Sequence, residues 1–280
     1  MSPQPPLTQL VVSTNNDPYR PPAVIGIVGG VGPYAGLDLQ RKILDQTPAS
    51  HDQDHLPVIS VSWPGLIPDR TDYLLGRVAE NPAYPMLAQL RLLAAAGATV
   101  AGIPCNTAHA PAIFEVIRAG VAEFERPLRL LHMIEEAAAW LQAGYPALST
   151  VGVLSTTGAW QTRLYPATLE PLGYRVVVPD EALQTGTVHP AVNDPGFGIK
   201  ATGDVTARAR AGLERGIAAL REMGAEAVIL GCTEMPLAFP EMMWDGMPLI
   251  DPTRALARAL IRELDAGRPR HAAGEAHLSP

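Results

Sequence analysis

"AAGATVAGIPCNT" (Ala95–Thr107) and "EMGAEAVILGCTE" (Glu222–Glu234) state one pattern twice. Each ends a helix-like stretch, turns at a Gly-Ala pair, runs through an apolar strand and delivers a cysteine. Gly97 to Cys105 and Gly224 to Cys232 are both eight residues, and these are the only two cysteines in the chain. The openings also correspond: Gly26 of "VIGIVGGVG" matches Gly152 of "TVGVLSTTG", at nearly the same offset as the cysteines. Two matches in register predict duplicated halves, each presenting a thiol at the carboxyl end of a strand.

Working outward, apolar runs alternate with Ala/Leu/Arg stretches of helical period. The strand candidates are "AVIGIVGG", "LPVISVSW", "ATVAGIPC", "LRLLHMI", "TVGVLST", "YRVVVPD" and "EAVILGC". "GLDLQRKILDQ", "PMLAQLRLLAAAG", "APAIFEVIRAGVAEF", "RAGLERGIAALREMG" and "PTRALARALIRELDAG" read as helices. Continuously apolar strands separated by helices predict an α/β fold with parallel sheets buried on both faces. The expected architecture is two similar open-sheet lobes related by a pseudo-two-fold axis, with the site in the cleft between them. Residues 23–132 plus 248–266 form the first lobe, carrying Cys105, and residues 133–247 the second, carrying Cys232. The Pro-rich residues 1–22 and the tail 267–280 read as flexible extensions.

Composition narrows the function. In 280 residues, 47% hydrophobic and 18% charged describe a chain able to bury a large core. A net charge of −7 with no basic block argues against nucleic acid as a partner. No apolar run approaches the ~20 residues needed to span a bilayer, and the start has no signal-peptide pattern. Two distant cysteines without such a signal point to reduced thiols in the cytoplasm.

Ligands of open α/β sheets bind beyond the strand carboxyl ends. If the halves face each other, a small molecule between them meets a sulfur on either side. A base on one face of a carbon and an acid on the other would invert a stereocentre. A helix N-terminus lowers a thiol's pKa and can hold a carboxylate. Asn106 and Thr107 are placed to cap a helix after Cys105, with Pro111 in its first turn, and "TEMP" after Cys232 repeats the arrangement with Pro236. One buried cysteine alone would read as a core residue. A zinc site would need further ligands, and His109, the nearest, is better read as a helix-start residue bonding locally. "GVGPYA" (Gly30–Ala35) fits a dinucleotide fingerprint, but "LPVISVSW" lacks the terminal acid that would hold a ribose. The glycines are instead expected to let the backbone approach a small ligand.

At "GIVGGVGP", "IPDRT", "IPCNTAH", "IKATG" and "LGCTEMPL", in that order, the chain resembles the aspartate/glutamate racemase superfamily, within it the pyridoxal-independent aspartate racemase branch. The resemblance spans roughly 23–267. It implies catalytic roles for Cys105 and Cys232, and contacts from Arg70 and Lys200 to substrate carboxylates. It implies substrate binding by Asn106, Thr107, Thr156 and Thr233, with Asp69 and Glu234 supporting the thiols. No cofactor and no metal are implied, and the partners are a small amino-acid substrate and a second copy in a homodimer. A dicarboxylate independently calls for two cationic anchors. Ala159 stands where a small hydroxyl residue is expected, and bulky Trp63 precedes the Arg70 motif. The function expected is a cofactor-independent racemase of aspartate, with glutamate a further candidate. The alternatives are a decarboxylase or isomerase of small diacids using the same thiols, and a non-catalytic amino-acid-binding protein.

Overall fold

The first strand has no polar side chain, and its residues, β1 (Ile25–Gly29), are all buried, as a strand covered on both faces requires. The computed structural model describes residues 23–266. The extensions expected over 1–22 and 267–280 lie outside the described residues.

Beside β1 lie β2 (Val58–Ser62) and β3 (Val100–Gly102), with β4 (Arg129–Leu130) outside β3, all parallel, in the order β2-β1-β3-β4. The second sheet repeats this with β5 (Thr150–Ser155), β6 (Arg175–Val177), β7 (Ala227–Gly231) and β9 (Met247–Ile250), in the order β6-β5-β7-β9. A short antiparallel β8 (Met243–Trp244) extends it past β9. Asp245 and Gly246 join β8 to β9 with φ of 45° and 78°, the paired positive values of a tight hairpin. This hairpin was not anticipated, although the Asp-Gly pair is its usual sequence signal.

The duplication extends to the environment of single residues. A Cβ on Gly26 would lie 3.0 Å from the Ala98 Cβ and 3.3 Å from Leu93; one on Gly152 would lie 3.1 Å from the Ala225 Cβ and 3.1 Å from Leu220. In each half the strand glycine lets the helix end and its Gly-Ala turn seat directly on the sheet. Gly97 and Gly224 make those turns with φ of 108° and 93°, the left-handed helix stop that glycine favours.

Helices cover both faces of each sheet. In the first lobe α1 (Pro33–Asp45) and α12 (Pro252–Ala266) pack one face through Leu39, Ile43, Leu256 and Leu260. The other face takes α3 (Ala83–Ala96) and α4 (Pro111–Ala122) through Leu90, Leu93, Ile113 and Ile117. The short α2 (Arg70–Leu74) stands at the cleft. In the second lobe α5 (Met133–Gly144) and α7 (Leu164–Leu169) cover one face, following the short α6 (Thr157–Gln161) into the same core. α11 (Ala207–Glu222) covers the other, with the stretch α8 (Glu181–Leu183), a π turn (Gln184–Val188) and α9 (His189–Asn193). α10 (Ile199–Thr202) ends at Gly203, φ 72°.

The second sheet keeps the chain through Ile250, with Leu249 and Ile250 paired to β7 and Met247 and Pro248 to β8, so the return to the first lobe comes at Asp251 and not at 248. Asp251 begins α12 by accepting from the Thr253 and Arg254 amides. It also pairs at 2.6 Å with Lys42 of α1, which reaches Asp38 at 2.5 Å.

Candidate active site

In each lobe the strand order reverses beside the first strand, and the loops leaving β3 and β7 there carry the two cysteines. Cys105 and Cys232 are free thiols, 7% and 4% exposed, and line one cavity between the lobes. Arg70, Asn106, Thr107, Thr156, Lys200, Thr233, Asp69 and Glu234 line the same cavity. All ten site residues expected from the sequence therefore converge, from both lobes. Val31, Thr71 and Gly231 line it too; Val31, Thr71 and Gly231 sit inside the motifs but carry no polar pattern beyond them.

The local structure differs from the expectation of helix N-termini. After Cys105 comes a single 3-10 turn, Asn106–His109, with no side-chain cap, and α4 begins only at Pro111. After Cys232 a 3-10 turn spans Met235–Ala238. Asn106 and Thr107 do not cap, because their side chains are used across the cleft. Thr107 Oγ1 meets Thr156 Oγ1 at 2.8 Å, and Asn106 Oδ1 accepts from the Tyr165 hydroxyl at 2.5 Å. Neither thiol therefore sits at the N-terminus of a long helix.

The charged neighbours of the two thiols are unlike. Cys232 Sγ donates to Glu234 Oε2 at 2.9 Å, which also accepts from Thr233 Oγ1 at 3.1 Å. Burial, then the Glu234 carboxylate, push the Cys232 thiol well above its usual range, against the pull of Lys200. At neutral pH Cys232 holds its proton. Cys105 instead faces Arg70. Burial works against the Arg70 charge, but Cys105, Asp69 and Glu234 outweigh it and the guanidinium is held more firmly charged than usual. Lys200 is treated likewise: burial opposes its charge, and Glu234 and Cys232 raise it. Lys200 remains exposed to solvent, which screens these effects.

Asp69 caps α2, accepting from the Asp72 amide at 2.9 Å, and so sets where Arg70 begins its helix. His109 bonds locally: Nδ1 donates to the Cys105 carbonyl at 2.9 Å, and its ring stacks on Phe114. Burial, then the neighbouring His132, lower its pKa to about 3, so it is neutral. Among the described residues, no group of three or more His, Cys, Asp or Glu is placed to hold a metal ion.

The glycine loop after β1 makes room for protein groups. A Cβ on Gly30 would lie 2.9 Å from the Pro64 nitrogen, and one on Gly32 3.0 Å from Glu234 Oε1. Trp63 thus packs beside the loop, and Glu234 of the second lobe reaches into the first. Ala159 is buried in the core of the second lobe while its amide approaches the Thr156 hydroxyl at 3.5 Å.

Two donor atoms among the cavity-lining residues, Arg70 Nε and Asn106 Nδ2, are buried without a protein partner. Buried donors are rarely left unpaired, so they mark where a ligand's oxygens belong. The free space is small, about 10 Å³, room for about one water. A second hollow of about 220 Å³ opens from it, sharing Asp69, Arg70, Lys200 and Glu234, with Tyr34, Gly203 and Leu237 at its rim. The lobes therefore stand closed on each other around the cavity.

Comparison with known proteins agrees with this layout. Residues 28–260 match the family model described as Asp/Glu/Hydantoin racemase. A glutamate racemase of Pseudomonas aeruginosa is 32% identical over 178 residues, covering 61% of this chain and 59% of that protein's length. The aspartate racemase of Picrophilus torridus superposes with a TM-score of 0.71 at 29% identity, over 87% of this chain and 94% of that one. A glutamate racemase of Francisella tularensis, solved with D-glutamate, shares the fold at a TM-score of 0.60 and 16% identity, over 87% and 81% of the two chains.

Proposed function

The chain belongs to the Asp/Glu/hydantoin racemase family, and on that premise we propose that it is an amino-acid racemase acting on aspartate, with glutamate a further candidate, by proton transfer between two thiols. The observation that carries this reading is the cavity itself, where one sulfur from each repeated half meets a cationic pair and two unpaired donors. The similarity to the Picrophilus torridus aspartate racemase over nearly its whole length supports aspartate as the first substrate to test.

In this mechanism one sulfur, as thiolate, removes the Cα proton while the opposite S–H delivers a proton to the other face. The net result is inversion, and the two sulfurs exchange protonation states. Cys232 begins as the thiol, with Glu234 beside it, and the base role is assigned to Cys105 of the other lobe. Arg70 Nε and Asn106 Nδ2 hold one carboxylate, and Lys200 the other. Thr107, Thr156 and Thr233 bind the remaining polar groups. The Cα proton is weakly acidic, and fixed cations in a dry cavity stabilise the carbanion-like state. Asp69 supports through α2 and Glu234 through its bond to Cys232. No cofactor enters these steps.

Two further expectations belong to the proposal. Free buried thiols suit a reducing cytoplasm, and a homodimer is expected. Among the described residues no helix is long and apolar enough to cross a membrane.

The test is incorporation of solvent deuterium at Cα of each enantiomer of aspartate and glutamate, with no cofactor added. Exchange with inversion is expected, and Cys105→Ala and Cys232→Ala should each cut racemisation by at least about 10²–10⁴-fold while remaining folded. Racemisation that survives in both variants removes the two-thiol mechanism. Binding without exchange leaves an amino-acid-binding protein, and release of carbon dioxide points to the decarboxylase alternative.

A further inference from the structure

Tyr165 is a residue that no sequence motif singles out. It lies on α7 in the second lobe, 1% exposed, with its ring in the core beside Leu164 and Leu169. Its hydroxyl leaves that core and crosses the cleft to donate to Asn106 Oδ1 of the first lobe. The ring touches the other half of the site as well: a Cβ on Gly231 would lie 2.8 Å from Tyr165 Cε2. One side chain therefore contacts the residue after Cys105 and the residue before Cys232.

We propose that Tyr165 is a positioning residue of this site, holding Asn106 with its amide nitrogen turned toward the cavity, so that this donor is set for a substrate carboxylate only when the lobes are closed. The inference rests on the racemase reading for the identity of the substrate, but not for the geometry. An Asn side chain has an acceptor end and a donor end. With Oδ1 occupied by a hydroxyl that donates, Nδ2 must point the other way. Nδ2 is buried and has no protein partner, and Asn106 lines the cavity.

The donor role of the phenol is secure. Burial, then the charges of Asp251 and Cys232, push the Tyr165 pKa well above its usual value, so the hydroxyl keeps its proton. A buried phenol needs some partner, and a carbonyl of its own lobe would have served stability equally. The partner found belongs to the opposite lobe. Opening the cleft separates Tyr165 from Asn106 and frees the amide to rotate; closing it restores the donor.

Tyr165→Phe keeps the ring and removes only the hydroxyl. The expected result is a KM raised by about tenfold or more for the substrate, with kcat changed by less than about threefold. Affinity for succinate, a dicarboxylate without a stereocentre, should fall in parallel, read from the Asn106 side-chain amide resonance in the ¹⁵N-labelled full chain. A purely structural hydroxyl would lower Tm and leave KM and succinate affinity unchanged. A folded Tyr165→Phe with both within about twofold of wild type overturns the inference. If the wild-type chain racemises none of the four amino acids, the racemase reading falls, and the succinate comparison still decides the role of Tyr165. Should the variant not fold, the wild type decides: a nuclear Overhauser contact between the Tyr165 hydroxyl proton and the Asn106 side chain supports the inference, and its absence overturns it.

Discussion

Thr107 Oγ1 and Thr156 Oγ1 lie 2.8 Å apart, one in the turn after Cys105 and the other at the start of α6, so the hydroxyls join the lobes directly across the cleft. Close beside them Gly158 meets Thr71, with a Cβ at 158 falling 3.1 Å from the Thr71 Cα. The closed state depends on small groups meeting here, and what must enter has to break these contacts first.

A single methyl at this seam should hold the lobes apart. Gly158→Ala is expected to lower kcat/KM by about tenfold or more, with little loss of stability, because closed packing tolerates extra volume poorly. Cysteine alkylation by a bulky reagent should become faster than in wild type. Slow alkylation unchanged by the substitution would show that the seam does not control access.

The proton on Cys232 should answer to Glu234. Removing the carboxylate charge in Glu234→Gln removes the second-largest force raising that thiol, leaving burial opposed by Lys200. In a Cys105→Ala background, where Cys232 reports alone, the rate of alkylation against pH should shift to lower pH in the Gln variant. An unshifted profile would mean that burial alone sets the thiol.

Lys42 lies between two carboxylates, Asp38 and Asp251, and is 7% exposed. Burial raises the Asp38 pKa even with Lys42 beside it. Lys42→Met would leave both acids without their cation, and breaking a buried ion pair on one side costs about 3–5 kcal/mol. Urea unfolding should show that loss at neutral pH and a smaller one at acid pH, where the carboxyls take up protons. A loss below about 1 kcal/mol would rank this cluster with surface pairs.

His109 should make stability fall with acid. It is neutral when folded, with a pKa of about 3, against an ordinary value of 6.5 in the unfolded chain. Between those values the unfolded chain binds the extra proton. The contribution is therefore complete above pH 6.5 and declines as pH drops toward 3, by about 1.4 kcal/mol per unit. His132, whose pKa is lowered by burial first, steepens the same slope. His109→Gln should flatten the urea midpoint between pH 6.5 and 4.5; an unchanged slope would assign the acid sensitivity elsewhere.

Much of this molecule was legible from the residues in order. Apolar runs and helical periods located the first strands of both sheets, since burial on both faces demands continuous apolar residues. The repeated Gly-Ala turn announced the duplicated lobes because each turn needs glycine at positive φ. Ten of the thirteen residues that line the cavity were expected from the sequence. The β8–β9 hairpin was missed because only four residues of β9 and two of β8 carry it, too few for a periodic signal.

Chain order could assign one sulfur to each half, because spacing and turn chemistry act over a few residues. It could not say that the lobes stand closed, that a carboxylate rather than a helix end tunes Cys232, or that Tyr165 reaches Asn106. Those contacts join residues far apart in sequence and on different lobes. They exist because two packed cores and the returning α12 bring the lobes to one separation, and the side chains alone carry no record of that distance.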